Sequence, residues 1–269
     1  VLQVVKRRNM PIEEFAGLVA HYRAENVPPF TEVILGLPGE TYQSFAEGID
    51  AILNAGQHDG LNIYPLIVLE NSELNDPGYR EMHQIESVRL PMLLLHGSPG
   101  EDPSPEEYEL VVSTATMSRH EWKTLMVMSW IVQGLHGLGL LQSWAIASYR
   151  ESGDYWRFYE GLQSAHPLSL LGREIRQLHL LLSDVLSGVK SWNLTDPRFG
   201  DVVWPPEEML FLRCVAELPM FLDELGVREV HRRKIQATLP LPSDFSDTAT
   251  WAREVVWYGR KGGQRQKAA

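Results

Sequence analysis

Gly36-Leu37-Pro38-Gly39 is the stretch best suited to meet a ligand, because two glycines bracket a proline between a β-branched apolar run and a helical pattern. Glycine lets the chain turn sharply and lets another molecule approach the backbone closely. The helix that starts at Thr41 would add free amides at its N-terminus, which favour an anion or the polar edge of a ligand. Such a turn also serves as a plain connection. It lacks the lysine and serine or threonine of a P-loop, so a phosphate-binding enzyme is the least supported reading.

Other groups invite chemistry less. His120 and His136 stand sixteen residues apart, which is no metal-ligand spacing, and His166 and His179 have no better context. Glu106-Glu107 and Glu207-Glu208 follow prolines, where negative charge offsets a helix dipole, so both pairs read as helix starts and not as paired catalytic carboxylates. The single cysteine, Cys214, excludes a disulfide framework and any cysteine-cluster metal site built by this chain alone.

The elements around the turn follow from periodicity. Pro11 opens a helix with Phe15, Leu18, Val19 and Tyr22 on one face, ended by Asn26-Val27-Pro28-Pro29. Thr31 to Leu35 is a short strand, and Thr41 to Ala55 a helix with Phe45, Ile49, Ile52 and Leu53 toward a sheet. Leu61 to Leu69 is a second strand, apolar on both faces for much of its length, which suits a parallel sheet covered by helices. Beyond Met92 to Pro105 the pattern becomes helical and rich in tryptophan. Helices are expected at 106–116, 118–149 with a break at Gly137 to Gly139, 154–165, 168–189 and 206–225, while Thr248 to Tyr258 favours neither strand nor helix. The fold class is thus α/β and then mostly α, with a first domain at 1–90 and a mainly helical one at 91–269. Two strands alone make no stable parallel sheet, so further strands must come from elsewhere.

With 269 residues, 44% of them hydrophobic, the chain can bury a sizeable core. Its net charge of −11 argues against nucleic acid as a partner, the short basic tail from Gly259 to Lys267 notwithstanding. No apolar run reaches the ~20 residues of a membrane span, and no signal peptide is visible, so the expected compartment is the cytoplasm. A chain opening on Val1 instead of methionine suggests residues upstream.

Ile34-x-Gly36-Leu37-Pro38-Gly39-Glu40-Thr41, the preceding Val4-Val5-Lys6-Arg7, and Tyr64-Pro65 followed by Asn71-Ser72-Glu73-Leu74 carry a family resemblance. The stretch from Val4 to Pro77 resembles the C-terminal third of the radical S-adenosylmethionine barrel, in the version found among enzymes that also bear a cobalamin-binding domain. Residues 90–269, with Tyr108-Glu109-Leu110-Val111-Val112 and Met117-Ser118-Arg119-His120-Glu121-Trp122, resemble the helical C-terminal region of that subgroup. The resemblance implies a partial, TIM-like barrel of six β/α units whose last two strands are present here. It implies S-adenosylmethionine, an iron–sulfur cluster and cobalamin as cofactors of the complete enzyme, acting on a small-molecule substrate. The CxxxCxxC that ligates the four-iron four-sulfur cluster is missing from this sequence, and Cys214 cannot replace it. The missing N-terminal barrel and cobalamin-binding half, in cis or in trans, is therefore an expected partner.

Single residues carry over from the resemblance. Arg7 matches an arginine after the fourth barrel strand, where a guanidinium fork holds the methionine carboxylate; otherwise it is a solvated helix-start arginine. Glu32 matches an acidic position whose carboxylate accepts both ribose hydroxyls; otherwise it is a strand-edge charge in water. Ile34, Gly36 and Leu37 match the motif that packs against adenine, with glycine sparing room for the base, and Glu40 is expected to cap the helix. Ile63, Tyr64 and Pro65 would complete the adenine pocket through backbone groups and stacking, unless Ile34 and Tyr64 are ordinary core. A competing reading makes the chain a non-catalytic helical interaction module that keeps a vestigial barrel edge.

Overall fold

A computed structural model describes residues 1, 4–6, 8–91, 95–97, 106–188, 192, 194–239, 252 and 256. Arg7 and all but two residues of 248–258 lie outside the described residues. The chain is mixed α/β with helices predominating. Pro11 precedes α1 (Ile12–Ala24), and Asn26, with φ 57°, follows its end. Strand β1 (Thr31–Leu35) leads through the glycine turn into α2 (Tyr42–Asn54) and then β2 (Leu61–Pro65). β1 and β2 are parallel, with Glu32 opposite Asn62 and Ile34 opposite Tyr64.

The single strand expected over 61–69 splits at Leu66. Its amide donates to Leu35 O (2.9 Å) and its carbonyl accepts from Val111 N (2.9 Å), so one residue hands the chain from a parallel to an antiparallel neighbour. β3 (Ile67–Val68) then pairs with β5 (Glu107–Ser113), beside β4 (Glu86–Pro91), with the short α3 (Pro77–Met82) between β3 and β4. The helix expected over 106–116 is thus strand β5. Tyr108, Leu110 and Val112 face the main core while Glu109 and Val111 face away, a period of two that the glutamate pair disguises. Glu107 opens this strand opposite Pro91 instead of starting a helix.

Ser118 and Glu121 form a capping box for α4 (Arg119–Ile131). A π-type turn, Val132–Gly137, prolongs it, the helix breaks after Gly137 within the expected Gly137 to Gly139, and α5 (Gln142–Ser152) leaves at 106°. Further helices are α6 (Tyr155–Gln163), α7 (Leu170–Leu186), α8 (Pro206–Ala216), α9 (Leu218–Glu224) and α10 (Glu229–Thr238). Pro219 divides what one helix over 206–225 would have joined. Among the described residues no single helix is long and apolar enough to cross a membrane.

One core cluster takes Leu35, Phe45, Ile49, Leu61 and Ile63 from the β1–α2–β2 unit and Leu110, Trp122, Trp130 and Phe211 from later elements. The boundary expected at residue 90 falls at the end of β4, in the same sheet as β5. The main core, with α2 and α4, lies on one face of β1 and β2, while Tyr79 of α3 joins Ile34 and Leu37 in a smaller cluster on the other. The other face carries Glu32, Ile34, Asn62 and Tyr64.

Candidate functional site

The turn after β1 closes on itself. Gly36 and Gly39 have φ of 96° and 84°, which only glycine adopts readily. A Cβ on Gly36 would also lie 3.3 Å from the Trp122 indole nitrogen, so that side of the glycine is filled by α4. Gly36 N–H donates to Glu40 Oε2 at 2.8 Å, Glu40 N–H donates to Leu37 O at 2.9 Å, and the Thr116 hydroxyl donates to Glu40 O at 2.7 Å. Glu40 is 8% exposed, and burial pushes its carboxyl pKa up to about 7 against the lowering effect of the backbone amides.

Glu40 therefore locks the turn and does not cap the helix. Thr41 caps it, with its hydroxyl accepting from Ser44 N while its own amide donates to Ser44 Oγ. This capping box uses amides that were expected to await a ligand. A buried carboxyl beside them opposes an anion at that spot.

The open face of β1 and β2 holds several of the expected residues. Glu32 is exposed, Ile34 is half-buried beside Leu66, Ile85 and Val111, and Leu37 joins the same small apolar cluster. Tyr64 is 46% exposed, so it is not core, and Asn62 Nδ2 donates to its hydroxyl at 2.9 Å. That bond leaves the Tyr64 O–H and Asn62 Oδ1 able to meet a ligand. Asn62 belongs to no motif in the sequence, although a strand period of two places it beside Glu32 and Tyr64.

The structure does not bring all the expected residues onto this face. Ile63 points the other way, 3% exposed in the core, and its amide donates to Gln133 Oε1 at 2.8 Å. Gly36 stands in the turn against Trp122, and Pro65, opposite Leu35, ends β2 with no amide to donate.

The two edges of this pair of strands differ. Gln133 and Pro65 close the outer edge of β2. On β1 the bonds from Thr31 N to Gly60 O and from Leu66 N to Leu35 O set the ladder's phase, so the amides and carbonyls of Glu32 and Ile34 point away from β2. Among the described residues no strand pairs with that edge. Apolar surface is also exposed on α1, at Ile12, Leu18 and Tyr22, and at Phe30 just before β1, from 38% for Leu18 to 58% for Phe30.

Two buried histidines form a separate network. His136 Nε2 lies 3.0 Å from His58 Nδ1, and its Nδ1 lies 2.6 Å from the Tyr159 hydroxyl. Burial drives both imidazoles toward the neutral form, His58 to a pKa of about 4, and pushes the Tyr159 phenol up. Cys214 is fully buried in α8, where desolvation raises its thiol pKa. Among the described residues no group of three or more His, Cys, Asp or Glu side chains is placed to hold a metal.

No family model matches the chain. Over 191 residues it is 35% identical to the cobalamin-dependent radical SAM methyltransferase TokK of Streptomyces tokunonensis, covering 69% of this chain and 28% of that protein. Over 192 residues it is 33% identical to the 2-(S-pantetheinyl)-carbapenam-3-carboxylate methyltransferase of Streptantibioticus cattleyicolor, with the same coverage. The chain is a relative of the cobalamin-dependent radical S-adenosylmethionine methyltransferases. It spans little more than a quarter of the length of the curated relatives it matches. The one cysteine of this relative is walled into α8, so the chain offers no thiolate set for an iron–sulfur cluster.

Proposed function

We propose that this chain is the C-terminal portion of a cobalamin-dependent radical S-adenosylmethionine methyltransferase, supplying the last two strands of a partial barrel and a helical cover. The observation that carries the reading is the asymmetry of β1 and β2: parallel strands closed on one edge by Gln133 and Pro65 and, among the described residues, unpaired on the other. A preceding β/α unit fits the open edge, with its strand on Glu32 and Ile34 and its helix on the apolar surface of α1 and Phe30. The occupant is the N-terminal barrel and cobalamin-binding half, and the 28% coverage of both relatives leaves ample chain to supply it.

Completing the barrel turns the open face inward. Glu32 then offers a carboxylate to ribose hydroxyls, Ile34 and Leu37 an apolar wall to adenine, and the Tyr64–Asn62 pair a donor and an acceptor to the nucleoside. This donor set fits S-adenosylmethionine, whereas a single cysteine does not make the thiolate set of an iron–sulfur cluster. When bound, S-adenosylmethionine and cobalamin supply the methyl group and its carrier. The chain's own contribution is to hold the nucleoside and, through its helices, to keep water from a small-molecule substrate.

The test is the full-length protein, purified without oxygen and given S-adenosylmethionine and cobalamin. Cobalamin-dependent formation of S-adenosylhomocysteine is expected. A full-length protein without a CxxxCxxC, or one that binds neither cofactor, would overturn the proposal and favour the interaction-module reading.

A further inference from the structure

His96 stands apart from the buried histidine pair. Its φ is 62°, a left-handed conformation that costs a non-glycine residue about 1 kcal/mol or more and persists only where the surroundings impose it. Val203 clamps the backbone on both sides: His96 N–H donates to Val203 O at 2.8 Å, and Val203 N–H donates to Gly97 O at 3.0 Å. Trp204 meets the ring edge-on, with centroids 5.6 Å apart. Nε2 lies 2.6 Å from Oε2 of Glu208, a side chain with no exposure in the first turn of α8. That turn is itself pinned, since a Cβ on Gly134 would lie 2.5 Å from Glu207 O.

A carboxylate oxygen only accepts, so Nε2 carries the hydrogen that meets Glu208, and whenever the ring is neutral the lone pair is on Nδ1. The side chain is 47% exposed, and Nδ1 has no partner among the described residues. Satisfying a buried carboxylate requires one nitrogen. It does not require a left-handed backbone and a ring left half exposed.

We propose that His96 is a general acid–base residue, positioned by Glu208, that takes a proton from an O–H, N–H or S–H group of a small-molecule substrate. The bond to hydrogen breaks, Nδ1–H forms, and the electron pair stays on the substrate atom. The Glu208 carboxylate offsets the charge gained by the ring.

Two experiments test this, and only the second rests on the methyl-transfer reading. In the native chain at pH 8, diethyl pyrocarbonate modification mapped by mass spectrometry is expected to reach His96 about threefold faster than the exposed His120 and His166, because an acceptor on one nitrogen makes the other more nucleophilic. Glu208→Gln should bring that rate down to theirs, and a His96 rate no higher than theirs in the native chain overturns the proposal. In the full-length enzyme, His96→Gln keeps an amide for Glu208 but has no basic nitrogen, so turnover should fall about 100-fold with an unchanged melting temperature. His96→Gly, which suits φ 62°, should regain turnover when imidazole is added. Full turnover in His96→Gln overturns the proposal. A full-length protein with no methyl transfer at all refutes the methyl-transfer reading and leaves His96 to be decided by its modification rate.

Discussion

Gly36 illustrates how far a motif reading goes at the scale of a residue. The sequence marks it as a place of close approach, and the structure supplies the neighbour: the Trp122 indole, together with a φ of 96°. Gly36→Ala should destabilise the chain by roughly 1–3 kcal/mol, read as a lower denaturant midpoint with an unchanged slope. Glu40 was legible as a charge near a helix start but not as a buried one, because nothing local announces that Thr116 and the Gly36 amide will enclose it. Its carboxyl pKa is raised by burial to about 7 from the ordinary 4.5. Between those values the folded chain holds a proton the unfolded chain has released, so this contribution is complete below pH 4.5 and is lost as pH rises through 7. Glu40→Gln should match the native chain at pH 4.5 and exceed it in stability at pH 8, measured by chemical unfolding at both pH values. Equal differences at the two pH values would refute a buried, proton-holding Glu40.

At the scale of elements, the β1–α2–β2 unit was legible because every local signal agreed: a β-branched run, a glycine-rich turn, a threonine cap and an apolar face at helical spacing. β5 was misread since a glutamate pair after a proline resembles a helix start, while the deciding alternation of Tyr108, Leu110 and Val112 is visible only once period two is tried. β4 was missed because six residues ending in Pro91 carry a weak strand signal until β5 is beside them. The closing of β2 by Gln133 is a contact across 70 positions of sequence, beyond any local pattern. Gln133→Ala leaves the Ile63 amide buried without its acceptor and should cost about 1–3 kcal/mol, with faster hydrogen exchange at that one amide. Unchanged exchange there would mean the edge is closed some other way.

For the molecule as a whole, the sequence announced two domains, a small β/α unit at 1–90 and a larger helical body at 91–269, whereas one core cluster draws on both. The apolar surface of α1, including Leu18 and Tyr22, stays exposed, although the periodicity that revealed it implied burial. The physical reason offered by the proposed function is that its cover belongs to the rest of a longer protein. The nucleoside-facing role of β1 and β2 is the central claim, and Glu32 is its cleanest probe, being exposed and so removable without disturbing the fold. The decisive measurement is calorimetric titration of S-adenosylmethionine into the full-length protein with Glu32→Ala. Loss of a charge-assisted pair of hydrogen bonds should weaken binding about tenfold or more. Affinity equal to that of the native protein would mean that β1 does not hold the nucleoside.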